Sequence, residues 1–358
     1  MPKNKRFGAV PQQDIGGQVA QIIGARVKFV MLNDKDDPDV FANNGEWSGL
    51  GGVVFESIRK DNPVEKMAGQ QFAKPLFPNI KIPPVVNEFI YVIRLPNPGT
   101  QISVGSTSFY YFQPINCWNS VHHNAVPSGF TALNNANDYD ETSAGFVRKV
   151  TDGSTDIDLG KTFTERIDTR NLQLYEGDVV LQGRWGNSIR FGSTVRNSTP
   201  LNLWSDTGQN GDPITIIRNG QYRDTSIPTW EPQLESVNRD PSSIYLTSTQ
   251  RVPIGVARSK YDSYTGAWGE TPSSPGGYGG SQVILNAGRL VFNAKSNHLL
   301  LAARRTISFN CDKGFNFDTD ANFVVKVGGS GNNTINLGDR KDNGADEPVI
   351  LGNKFLTA

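Results

Sequence analysis

The sequence predicts an all-β protein whose carboxy-terminal part is a β-helical shaft, and three observations predict it. Gly and Pro are abundant, at 37 and 21 of 358 residues. No long segment carries the three-and-four spacing of an apolar helical stripe, and short alternating apolar runs recur between turn residues instead. The third observation is a repeat. From Val283 to Ser330 the chain divides into eights: VILNAGRL, VFNAKSNH, LLLAARRT, ISFNCDKG, FNFDTDAN and FVVKVGGS. Leu299, Ile307, Phe315 and Phe323 open the last four octads, and Leu301, Phe309, Phe317 and Val325 follow two residues later. Residues at i and i+2 share one face of a strand, so these eight side chains are the expected structural core of the shaft. A rung this short cannot bury its apolar face alone. It must stack along the chain or against other copies.

The elements before the shaft follow in order. Arg26–Leu32 and Gly52–Ile58 read as strands on either side of the turn-rich loop NDKDDPDVFANNGEW. Prolines delimit a third strand over Glu88–Leu95, in which Phe89, Tyr91 and Ile93 share one face, and Ser108–Ile115 is a fourth. Four or five strands of this length with one long loop close a small barrel of the OB type, assigned to residues 1–122. Residues 123–172 are rich in Gly, Ser, Asn and Asp and read as a long polar connection with little core. A small middle β module is expected over 173–258, built from EGDVVLQGRWGNSIRFGS, from Ile214–Arg218 and from Ser243–Ser248. Residues 259–281 read as a linker rich in Gly, Ser and Pro. The shaft occupies 282–358, with two further strand-like units at TINLGD and EPVILGNKF.

Composition restricts the function. Lys plus Arg equals Asp plus Glu at 35 each, which gives no general electrostatic footprint for nucleic acid. Cys117 and Cys311 lie far apart and are expected as reduced thiols. The start MPKNKRFGAV has no apolar signal region and no run approaches a membrane span; synthesis in a cytoplasm without a signal peptide is expected. His122 and His123 are adjacent and would face opposite sides of a strand. His298 falls on the turn-like eighth position of an octad, so solvent is expected around it rather than an axial ion. The acidic groups Asp138, Asp140 and Glu141, and Asp156 with Asp158, lie in polar sequence with no sign of the burial that acid–base work needs. Gly160-Lys161-Thr162 lacks the upstream glycine of a phosphate loop. Trp118 and Trp185 read as core or interface aromatics. Arg184 and Arg190 flank the corner at Trp185, and these three are the expected interface residues. No catalytic residue, cofactor or metal is expected.

Taken together, these features resemble the central spike and hub proteins of contractile tails, as in T4-like phage baseplates and the valine–glycine-repeat spikes of type VI secretion. The residues that carry the resemblance are RVKFVML and PPVVNEFIYVI near the amino terminus, and EGDVVLQGRWGNSIRFGS in the middle. They continue with SQVILNAGRLVFNAKSNHLLLAARRTISFNC leading to EPVILGNKF. The resemblance implies a homotrimer whose carboxy-terminal strands intertwine into a triple-stranded β-helix. It implies baseplate hub proteins and the tail tube as partners at one end, and the host cell envelope at the other. The end at NKFLTA leaves either a blunt end on which a separate spike-tip protein could sit or a chain that continues further. In that family the octad often carries Val and then Gly, where this chain places Leu301, Phe309, Phe317 and Val325. Some members insert a muramidase domain, for which the roughly 50 irregular residues here are too few. A carbohydrate-active tail-fibre protein using Trp185 and Tyr222, and a type VI spike, are the alternatives.

Overall fold

Alternation in the first described strand builds one side of a small barrel: Ile23, Ala25 and Val27 are buried along β1 (Ile22–Val30), and the residues between them are not. The computed structural model describes residues 22–57, 71–86, 88–96, 107–115, 158–159, 163–164, 169–197, 202, 204, 208–224, 226, 231–257, 275–305, 307–309, 311, 313–326 and 328. The barrel adds β2 (Val53–Ser57), β3 (Gln71–Pro75), β4 (Phe89–Pro96) and β5 (Thr107–Pro114). They close in the order β1-β2-β3-β5-β4. All pairs are antiparallel except β3 with β5. β3 is not among the expected strands: in QFAKP the apolar Phe72 and Ala73 are adjacent rather than alternating, ahead of a lysine–proline step.

The barrel core is Ala25, Val27, Val53, Phe55, Ala73, Ile90, Val92 and Tyr111. On β4 it takes Ile90 and Val92, so the face shared by Phe89, Tyr91 and Ile93 is the outer one. Tyr91 is exposed there and stacks on Phe112 at 5.6 Å. The Tyr111 hydroxyl donates to the Gly51 carbonyl at 2.6 Å, and burial pushes that phenol up to about 12. Where β2 begins, a Cβ on Gly52 would lie 2.1 Å from the Phe72 ring, so only glycine lets the two strands approach. The expected turn-rich loop holds one short helix, α1 (Pro38–Asn43). Asp37 caps it by accepting from the Asp39 and Val40 amides, both at 3.1 Å, and proline stands first; this is the ordinary start signal of a helix.

Within the stretch expected as a long polar connection with little core, β6 (Asp158–Leu159) pairs with β7 (Phe163–Thr164). The middle module is one antiparallel five-stranded sheet. Its strands are β8 (Val179–Gln182), β9 (Ser188–Ser193), β10 (Pro213–Asn219), β11 (Ser242–Thr247) and β12 (Gln282–Ala287), in the order β12-β11-β10-β9-β8. β12 corrects the expected boundary at residue 282. The octad repeat places Val283 and Leu285 in the first shaft rung, yet their strand pairs along its length with β11. An alternating hexamer looks the same in a rung and in a sheet; the neighbouring β11 decides.

The inner face of this sheet carries Arg190, Ile214, Ile216, Arg218, Tyr245 and Ile284, all buried, under loops that supply Trp204, Val237 and Val252. The outer face is apolar too. Register aligns Val179, Phe191, Thr215, Leu246 and Val283 in one row across the five strands. Leu181, Ile189, Ile217, Ile244 and Leu285 form a second row beside it. None of the ten is buried.

Beyond Ala287 no described residue belongs to a strand, and every described residue from 288 to 328 is exposed. Residues 1–21, the units TINLGD and EPVILGNKF, Cys117, Trp118, His122, His123, Asp138, Asp140, Glu141 and Gly160-Lys161-Thr162 lie outside the described residues.

Candidate functional site

The eight expected shaft positions share one condition. Leu299, Leu301, Ile307, Phe309, Phe315, Phe317, Phe323 and Val325 are all exposed, with Phe317 at 62%. Four of them nevertheless form a continuous row. The rings of Phe315 and Phe317 meet edge to face at 4.5 Å. Phe309 joins Phe315 at 5.4 Å, and Phe317 joins Phe323 at 5.1 Å, so each octad hands its ring to the next. Such ring pairs are worth about 0.5–1.5 kcal/mol beyond their area. That cannot offset leaving so much apolar surface in water, where each large side chain forgoes about 1.5–3 kcal/mol of burial. His298 is exposed in this segment, its amide donating to Asn297 Oδ1 at 2.8 Å, and Cys311 is exposed with its thiol against the Gly314 carbonyl at 3.3 Å.

The three expected interface residues separate. Arg190 is not an interface residue. It is 1% exposed, with Nε donating to Glu235 Oε1 at 2.7 Å, Nη2 to the Gln173 carbonyl at 2.7 Å and Nη1 to Asp178 Oδ2. Burial works against its charge, but the carboxylates of Glu235 and Asp178 outweigh that and hold the guanidinium above its ordinary value. Arg184 is occupied within the chain: its Nη2 lies 2.5 Å from Glu88 Oε1, which ties the hairpin corner of the module to the barrel. Trp185, at the tip of the same corner, is 48% exposed. Gly186 beside it takes φ +87°, a left-handed turn that glycine enters without steric cost.

Sequence reasoning missed the polar centre of the module. Arg218 lies 3.6 Å from Asp240 with both side chains buried. Asp240 accepts the Tyr222 amide at 3.0 Å and the Ser236 amide at 2.8 Å. Burial, reinforced by Glu235 and Asp240, pushes the Tyr245 phenol up. Gln250 donates to Thr194 Oγ1 at 3.1 Å and to the Asp212 carbonyl at 2.8 Å. Asp240 and Gln250 thereby pin loops to the sheet, which is structural work. Among the described residues no cluster of three His, Cys, Asp or Glu is placed to hold a metal, and no helix is long and apolar enough to cross a membrane. Tyr222 sits under the Arg239 guanidinium at 4.7 Å.

Glu88 is fully buried beside β4. Its Oε2 accepts the Val85 amide at 2.6 Å and its carbonyl accepts the Val27 amide at 2.9 Å. Burial pushes its carboxyl above the ordinary range, against the opposing pull of Arg184 and the Val85 amide. A folded state that holds this proton more tightly than the unfolded chain is most stable below the ordinary carboxylate range. It loses that stability as pH rises through the raised value. Unfolding free energies from urea titrations, followed upward in pH from the ordinary carboxylate range, should therefore fall more steeply for the wild type than for Glu88→Gln, by at most about 1.4 kcal/mol per pH unit. Parallel profiles would show that Glu88 does not titrate in this window.

Compared with models of protein families, with curated proteins and with solved structures, the chain gives no match.

Proposed function

We propose that the protein is a structural component of a virion, the homotrimeric central spike of a contractile-tail baseplate. It seats on the hub and pierces the host envelope when the sheath contracts. The observation that carries this reading is the segment from 288 to 328, where every described residue is exposed around a contiguous row of phenylalanine rings. A segment of this kind gains burial and ladder partners when identical segments wind together. The number three comes from the resemblance to tail spikes. In that trimer the segments form an intertwined β-helix, with Leu299, Leu301, Ile307, Phe309, Phe315, Phe317, Phe323 and Val325 along its axis.

The barrel fits the same reading, since its closed strand order with one parallel pair suits the OB-type domain that such spikes place against the hub. The proposed work is mechanical. Force comes from the sheath, and this chain supplies a stiff body, with no reaction, cofactor or metal of its own. Hub proteins and the tail tube hold the barrel end, and a tip protein is accommodated at the other. A type VI secretion spike would use the same architecture.

The test is the oligomeric state of the full chain. Light scattering should give three times the 39.2 kDa chain mass, and the trimer should persist in SDS until heated. A monomer at micromolar concentration would overturn the reading.

A further inference from the structure

The outer face of the five-stranded sheet has no role in the barrel or in the polar centre. Its sequence logic is unusual. On β9 the alternation places Ser188 and Arg190 inside and Ile189 and Phe191 outside. On β10 it places Ile214 and Ile216 inside with Ile217 outside. Strands apolar on both faces are those that end up covered on both faces, while a solvated face carries polar side chains. Nine of the ten outward positions are apolar and the tenth is threonine.

We infer that this outer face is where three copies of the module meet, so that three sheets close a triangular prism around the axis that the shaft continues. The inference rests on the spike reading and names the surface that reading leaves open. Three features select other copies of this chain as the occupant. β12, which ends both rows with Val283 and Leu285, is an edge strand and runs straight into the exposed segment at Gly288. Copies joined through that segment must bring their sheets together within a few residues of it. The rows carry no charge, and the positions flanking them, Ser193 with Pro213 and Asn219 with Ser242, carry none either. Identical faces can thus meet without opposing like charges, and the arrangement of apolar centre and uncharged polar rim is that of a protein interface. Finally, five strands spaced about 4.8 Å apart present a face about 20 Å wide, broad enough to form one side of a closed prism.

The test places a benzophenone side chain at Phe191 or at Leu246 in the full-length protein, with Glu231, exposed on the loop side of the module, as the control position. Illumination of the purified trimer should shift the product to two and three chain masses for the first two positions and leave the control at one. A trimer that cross-links only within a chain, or not at all, at Phe191 and Leu246 overturns this inference and leaves the spike reading standing. A chain that is monomeric before illumination overturns the spike reading and the prism with it. A product formed only when baseplate proteins are added would assign the face to a different occupant and overturn the inference alone.

Discussion

Phe317→Asp should abolish the trimer while leaving the barrel and the middle module folded. In the single chain Phe317 is exposed and its ring pairs with those of Phe315 and Phe323, outside the cores of the barrel and the module. In the proposed shaft it puts three carboxylates at one axial level. Each loses the roughly 1.5–3 kcal/mol that burying a large apolar side chain supplies. Each also meets a desolvation penalty of several kcal/mol, compounded by mutual repulsion. The total is on the order of 10 kcal/mol per trimer, enough to abolish assembly at micromolar concentration. Light scattering should return the mass of one chain, with the circular dichroism of the β domains unchanged. Phe317→Leu, which keeps an apolar side chain, should still assemble. If Phe317→Asp purified as a trimer with wild-type heat resistance, the axial placement of these residues would be wrong.

The second large effect belongs to the middle module. Arg190→Met keeps most of the side-chain volume but leaves Glu235 and Asp178 in the interior without their counter-charge, their side chains 0% and 3% exposed. Removing one partner of a buried ion pair costs about 3–5 kcal/mol, because the survivor stays buried and charged. The module's urea transition should move down accordingly, and amide exchange should rise in β9 and β10 before it rises in the barrel. Combining Arg190→Met with Glu235→Leu should recover part of the loss, since one stranded charge is gone; the two changes share a contact and will not add. A loss below 1 kcal/mol, roughly the value of an exposed pair, would mean that water reaches this centre.

These two residues mark the limits of what could be read from the chain. At Phe317 the repeat of eight made a row of apolar side chains legible, and the rings of Phe315, Phe317 and Phe323 do meet; their axial place belongs to the proposed trimer. Both barrel strands around the helix loop were legible as short apolar runs beside turn residues. Arg190 was not. Alternation in SIRFGS separates Arg190 from Ile189 and Phe191 but does not say which side faces the interior, and burial of apolar residues is the natural expectation. On β9 the module inverts it, because Asp178, just before the neighbouring strand β8, and Glu235, from a loop further along the chain, neutralise the guanidinium. β12 failed differently, since its pattern was read correctly and its partner was not. The start of α1 was present as Asp37-Pro38-Asp39, a capping signal overlooked inside a run of turn residues.

The exposed segment also dictates an order of events. The barrel and the module find their contacts within one chain and can fold at a rate independent of concentration. The described residues from 288 to 328 are all exposed, so on the trimer reading their burial must wait for chains to collide, and its rate must rise with protein concentration. During that wait a newly made chain displays open strand edges and a row of aromatic rings, the combination most prone to wrong association. Yield of active trimer should therefore be set less by the stability of the finished needle than by how quickly three chains meet before they aggregate.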